Sequence, residues 1–232
     1  MNPCKTTNQL NRLSKTLFLT QKTIEIGDIE LYIHDLEKLR PNIWLNNKII
    51  MSYINLVKEY FSELDVQIYP LSTFFYKYVK DKNKNFISNS FNEYIQGEYD
   101  FIIIPIHLPN HWTLCIIDIK NKIFEYYDSL KGSIEKNLKI LQKIKEAISI
   151  ISHEFSEFYD FEMQDRSSSV PLQDNCSDCG VFCCMYVRHR IENKNIQIKQ
   201  KNSKIQRYKM LHELSIRKII YRTDLYLESI DE

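Results

Sequence analysis

The chain has 232 residues, enough to bury one sizeable core or two small ones without metal or disulfide staples. Its 31 Lys+Arg balance 30 Asp+Glu to a formal net charge of +1, which removes the electrostatic reason to expect nucleic acid or an anionic membrane as the main partner. None of its 4 glycines falls in a G-x-G-x-x-G or G-x-x-x-x-G-K pattern, so a nucleotide-cradling loop is not expected either.

The first stretch, "MNPCKTTNQLNRLSKTLFLTQKT", is polar. It has neither the apolar core of a secretion signal nor a membrane-length run, which points to a reducing compartment and free thiols. Residues 1–23 read as a flexible N-terminal arm, and 24–228 as one catalytic-type domain, because no internal repeat or Gly/Ser-rich linker divides them. "NNKIIMSYINLVKEYF" places Ile50, Tyr53, Ile54, Val57 and Phe61 at helical spacing, with Asn46 or Asn47 as N-cap. "KDKNKNFISN" (80–89) and "IENKNIQIKQKNSK" (191–204) read as solvated loops. "FIIIPI", "WTLCIIDI" and "KIFEYYD" are short, rich in β-branched and aromatic residues and separated by turn-like breaks, so they read as strands of one sheet. "SIEKNLKILQKIKEAISIISHEF" carries Leu138, Leu141, Lys145 and Ile148 on one track beside Ile134, Ile144 and Ile151, an amphipathic helix. Two more helices are expected, over "GVFCCMYVRHRI" and "KIQRYKMLHELSIRKII".

Four of the six cysteines fall in "NCSDCGVFCC" (175–184). A structural zinc site asks for two C-x-x-C pairs, or one such pair and an H-x(3–5)-H; here there is one pair, Cys176 and Cys179, and His189 has no second histidine at the right interval. His107 and His111 are separated by Pro109, which argues against a shared helical face. A thioredoxin-like pair would need a strand end in a βαβ context, which "RSSSVPLQDN" does not supply. Cys183 and Cys184, inside an apolar helix, read as small buried hydrophobes. Cys179 directly precedes that helix, so its sulfur would sit at a helix N-terminus, where unpaired N–H groups and the macrodipole favour a thiolate nucleophile.

A nucleophilic thiol needs a base, and the base needs an orienting group. Of the six histidines, His111 in "NHWTLCIID" sits just before a strand, where a side chain can be held rigidly at a sheet edge. If Lys120 and Asn121 form a two-residue turn, facing residues sum to 241, Asp128 opposes Thr113, and Asp128 then shares a face with His111. Asp118 lies about 23 Å along the strand at roughly 3.3 Å per residue, which leaves Asp128 as the orienter.

"NIWLNNKIIMSYI", "FIIIPIHLPNHWTLCIIDIKNKIFEYYDSL" and "QDNCSDCGVF", in that order and spacing, resemble the ubiquitin-like-protein-specific cysteine proteases, known as SUMO or sentrin proteases. The likeness runs from about "IEIGDIE" (24–30) to "RYKMLHELSIRKII". It implies an α+β, papain-like cysteine protease fold with a central mixed sheet flanked by helices. It further implies that Cys179 attacks, His111 is the base, Asp128 orients it and Gln173 lends its amide to the oxyanion hole. Trp44 and Trp112, the two tryptophans of the chain, match the pair that covers the modifier's diglycine tail in that family. The resemblance implies no metal or organic cofactor. The implied partner is SUMO or another ubiquitin-like protein with its conjugates, met by a monomer in the nucleus or cytoplasm, with no nucleic acid and no membrane. Two positions depart from the family's pattern, Asn47 where Asp is common and Cys176 where Gly is. Cys176, three residues before the nucleophile, introduces an oxidative disulfide with Cys179 as an idea to test. Three rival readings remain: a protease for another modifier or for ubiquitin, an acetyltransferase of related fold, and a modifier-binding module without catalysis.

Overall fold

The computed structural model describes residues 23–151, 153–193 and 203–220. Most of the expected N-terminal arm, most of the 191–204 loop and positions 221–228 of the expected catalytic domain lie outside the described residues.

The chain opens with an antiparallel hairpin, β1 (Thr23–Ile26) and β2 (Ile29–Tyr32), followed by a short helix α1 (Ile33–Leu36). Helix α2 (Asn47–Ser62) then buries Ile50, Tyr53, Ile54, Val57 and Phe61, the residues whose spacing predicts it. Asn46 is its N-cap: Oδ1 accepts from the Ile49 N–H at 3.0 Å, while Nδ2 donates to Asp35 at 2.8 Å. The central sheet has the order β3 (Ile68–Pro70), β4 (Phe101–Leu108), β5 (His111–Asp118), β6 (Ile123–Tyr127), β7 (Glu162–Asp165). The two inner pairings are antiparallel and the two outer ones parallel, which makes the sheet mixed. Helices α3 (Phe75–Lys80), α4 (Lys84–Asn89) and α5 (Ile134–Ser149) pack on one face, and α2, α6 (Cys179–Ile191) and α7 (Ser203–Ile216) on the other.

Alternation along β5 divides its side chains between two cores: Trp112, Leu114 and Ile116 join the α2–α6 layer, and Cys115 and Ile117 join the α3–α5 layer. Leu114 pairs with Tyr127 and Asp118 with Ile123, so the observed register sums to 241 as the turn predicts. Three expectations need correcting. The segment read as a loop over 80–89 contains α4, because Asn83 caps the Phe86 N–H at 3.0 Å and Ile87 is buried. The helix expected to run to Phe155 stops at Ser149, and the chain continues as a 3₁₀ segment, His153–Asp160. Ile134, the first residue of the helix, is 58% exposed and lies off the buried track of Leu141, Ile144 and Ile148.

Candidate active site

The site forms where β5 begins and β6 ends. The turn Pro109–Asn110 links Leu108 to His111 across the β4–β5 hairpin, with Asn110 at φ 59°, a left-handed conformation that Asn tolerates. This turn fixes the backbone of His111. Asp128 is the first residue past β6, one step beyond the Leu114–Tyr127 pair, on the same face of the sheet as His111. His111 Nε2 donates to Asp128 Oδ1 at 2.7 Å. The carboxylate is itself restrained: Oδ1 also accepts from the Leu130 N–H at 2.8 Å, and the Asp128 N–H donates to Ser167 Oγ at 3.0 Å. Gly132, at φ 56°, closes this turn, and a Cβ there would stand 2.8 Å from Asp128 Oδ2. Any larger residue at position 132 would displace the carboxylate.

Cys179 is the first residue of α6 and is 3% exposed. Gly180 lets this helix start approach the 44–46 segment, since a Cβ on Gly180 would meet Leu45 Cβ at 2.9 Å. With His111 Nε2 committed to Asp128, Nδ1 is buried and has no hydrogen-bond partner. Unsatisfied buried nitrogens are rare, and a role in chemistry is one of the few reasons for one. Burial by itself lowers the His111 pKa, but the hydrogen bonds and negative charges of Asp128 and Cys179 outweigh it and push the value up to about 9. A protonated imidazole beside a sulfur at a helix N-terminus is the setting that sustains a thiolate.

The other cysteines separate from Cys179 by environment. Cys183 and Cys184 are completely buried, and burial drives both thiols far above their ordinary range. Both serve as packing residues, as the apolar helix predicts. Cys176 is exposed and free. No group of three or more His, Cys, Asp or Glu side chains among the described residues could hold a metal ion.

Gln173 reaches the site from the loop before α6. Its backbone N–H donates to the Ser129 carbonyl at 2.9 Å, its Oε1 accepts from Ser129 Oγ at 2.6 Å, and its Nε2 donates to the Asn175 carbonyl at 2.5 Å. Asn175 in turn folds the approach to Cys179, its Oδ1 accepting from the Ser177 and Asp178 N–H groups at 2.9 and 3.1 Å. Asp178 adjoins Cys179 and would oppose a thiolate if its charge were free. Buried Arg207 of α7 neutralises it, with Nε 2.8 Å and Nη2 2.6 Å from Oδ1. Burial favours the neutral acid, yet hydrogen bonds from Asn175, Ser203 and Arg207 prevail and hold the Asp178 pKa below the ordinary carboxylate range. Arg207 also donates to the carbonyls of Lys38, Arg40 and Ser177, tying the loop before Cys179 to the segment that leads to Trp44. Ser129 and Asp178 lie inside the motifs "YYDSL" and "QDNCSDCG", which is the signal that could mark them, whereas nothing local in the sequence marks Arg207.

The two tryptophans differ. Trp112 is 7% exposed, and its indole N–H donates to the Leu45 carbonyl at 3.0 Å; Trp44 is 46% exposed. Trp112 thus doubles as a core residue, while Trp44 presents an open aromatic face one residue from Trp112's anchor.

A mixed five-stranded sheet between two helical layers, with a bonded imidazole–carboxylate pair at its edge and a cysteine at the start of a helix, defines the class: an α+β domain of papain-like fold. Comparison with known proteins gives the family. The model of the Ulp1 protease family, C-terminal catalytic domain, matches residues 43–219, and the chain belongs to that family. It is 27% identical over 202 residues to a sentrin-specific protease of Caenorhabditis elegans, covering 86% of this chain and 29% of that protein. It is 31% identical over 188 residues to Sentrin-specific protease 2 of Homo sapiens, covering 78% of this chain and 31% of that one. The chain therefore spans about a third of the length of these curated relatives. The solved C-terminal Ulp1 protease domain in complex with Smt3, the yeast ortholog of SUMO, superposes with a TM-score of 0.72 at 22% identity, covering 94% of this chain and 96% of that one.

Proposed function

We propose that this chain is a thiol protease that hydrolyses the bond after the C-terminal Gly-Gly of a ubiquitin-like modifier, SUMO first among them. The observation that carries the reading is the His111 ring, bonded through Nε2 to Asp128, with a second, buried nitrogen that has no hydrogen-bond partner and a pKa raised by Asp128 and Cys179 together. The names of the sentrin-specific relatives and the Smt3-bound neighbour support SUMO as the modifier. In the proposed cycle the Cys179 thiolate adds to the terminal glycine carbonyl, and its oxygen takes the negative charge. One Gln173 N–H and the Cys179 backbone N–H receive that oxyanion. The C–N bond breaks as His111 Nδ1 gives its proton to the leaving amine, a substrate lysine or a precursor's peptide extension. His111 then takes a proton from water, the hydroxide adds to the thioester, and collapse releases the glycine carboxylate and restores the thiolate. Trp44 forms the outer wall of a diglycine channel and Trp112 the inner one, linked through the Leu45 carbonyl. The five described cysteines are all free, in keeping with a nuclear or cytoplasmic setting.

The test is turnover of a panel of modifier fusions, SUMO, ubiquitin and other ubiquitin-like proteins, each with a Gly-Gly and a Gly-Val tail. SUMO with Gly-Gly should be cleaved best, and Gly-Val should lose on the order of 10²-fold or more in kcat/KM, because a β-carbon does not fit between aromatic walls. Preference for another modifier would overturn the SUMO assignment, and comparable cleavage of Gly-Val would overturn the channel.

A further inference from the structure

Ser129 directly follows Asp128 and is 1% exposed. It contacts Gln173 twice, its carbonyl accepting the Gln173 backbone N–H at 2.9 Å and its hydroxyl donating to Oε1 at 2.6 Å. The Gln173 amide is held at its other end too, where Nε2 donates to the Asn175 carbonyl at 2.5 Å. An amide nitrogen carries two N–H groups, so one remains. A carbonyl only accepts, so Asn175 selects the nitrogen end of the amide and forbids the flipped arrangement, which would set two oxygens against each other. Ser129 holds the oxygen end and, by donating to it, polarises the amide and strengthens the remaining N–H as a donor.

We propose that Ser129 is a positioning residue for the oxyanion donor, holding Gln173 so that its uncommitted N–H meets the charge that develops on the substrate carbonyl. The proposal rests on the reading of Gln173 as that donor. It has a structural corollary: consecutive residues at the end of β6 serve the two halves of the chemistry, Asp128 orienting the proton carrier and Ser129 the oxyanion donor.

The experiment compares wild type, Ser129→Ala, Gln173→Ala and the double variant. Two readouts are used: kcat and KM on a SUMO-Gly-Gly fluorogenic amide, and inhibition by SUMO ending in Gly-glycinal. In that inhibitor Cys179 sulfur bonds to the aldehyde carbon, the C=O π bond breaks, and the proton of the thiol stays on His111 or passes to the new oxygen, which occupies the oxyanion position. Ser129→Ala should lower kcat roughly 5–50-fold with KM within about twofold, and should weaken aldehyde binding by a similar factor. In the Gln173→Ala background it should add less than about twofold, since the group it positions is gone. Full multiplication of the two effects, or a wild-type kcat in Ser129→Ala, would overturn the proposal. Near-wild-type kcat in Gln173→Ala would instead sink the oxyanion reading of Gln173 and the Ser129 proposal with it. Should Ser129→Ala fail to fold, Ser129→Cys, of the same shape but a weaker donor, is read by the same criteria with a smaller expected loss.

Discussion

Asp118 and Asp128 stand at opposite ends of the β5–β6 hairpin, both buried and both bonded to a nitrogen of a basic side chain. Asp118 accepts from Arg190 Nη2 at 2.7 Å and from the Asn121 backbone and side chain at 2.9 and 2.7 Å. Burial would favour its neutral form, but these bonds hold its pKa below the usual carboxylate range. Asp128 faces His111 instead. The carboxylates are alike in burial, so the contrast lies in their partners. A guanidinium keeps its charge at every accessible pH, and Arg190 only locks the hairpin to α6. An imidazole can exchange its proton, and the second nitrogen of His111 is buried without a hydrogen-bond partner. A buried ion pair becomes chemistry when one member can give up its proton to a third group.

That contrast should break most visibly at Asp128. Asp128→Asn should lower kcat on the order of 10²–10⁴-fold, because an amide neither stabilises the imidazolium nor holds its tautomer, while the thermal midpoint moves by only a few degrees. Steady-state kinetics beside a melting curve would check both halves. Next in size, Gln173→Ala should cost on the order of 10²–10³ in kcat.

The pH profile sharpens the comparison from the imidazole's side. With the His111 pKa raised to about 9, kcat/KM should hold through neutral pH and fall above about 9 as the imidazolium is lost. Because Asp128 raises that pKa, Asp128→Asn should move the alkaline limb to lower pH. The same sign applies to stability: the His111 contribution is fully present below the unfolded pKa of about 6.5 and fades as pH rises through about 9.

At the other end of the hairpin the cost falls on folding. Asp118→Asn should change kcat by less than about threefold and lose about 1–3 kcal/mol in urea unfolding, since Arg190 retains its 2.6 Å bond to buried Glu125. With its pKa lowered, Asp118 contributes stability above about pH 4 and loses it as pH falls through the folded value, so the wild type should show an acid limb that Asp118→Asn lacks. The smallest expected effect is that of Cys176→Gly, which should leave kcat unchanged. Its recovery by thiol reductant after peroxide, compared with wild type, tests the Cys176–Cys179 disulfide; equal recovery removes that idea.

The hairpin was legible because its information is local. The turn at 120–121 and period-two alternation set the register, and the register put Asp128 beside His111 and left Asp118 far away. The flanking strands were not legible. β3 and β7 are only 3 and 4 residues long, and β7 reads Glu-Met-Gln-Asp, whose strand state comes from parallel pairing with β6 and not from its own pattern. The end of α5 was missed for a related reason: no Gly or Pro marks it, apolar residues continue past it, and only tertiary packing leaves Ile150 66% exposed. The groups that hold the site, Ser129 on Gln173 and Arg207 on Asp178, act across 44 and 29 residues of chain, beyond any local pattern.

The central claim, that one thiol of the cluster is the nucleophile, is tested most directly by mapping the adduct formed with SUMO carrying a C-terminal propargylamide. Intact mass and peptide mapping should show a single adduct, on Cys179, retained in Cys176→Ala, Cys183→Ala and Cys184→Ala and absent from Cys179→Ala, which should also lose all turnover. An adduct on another cysteine, or turnover surviving in Cys179→Ala, would contradict the account.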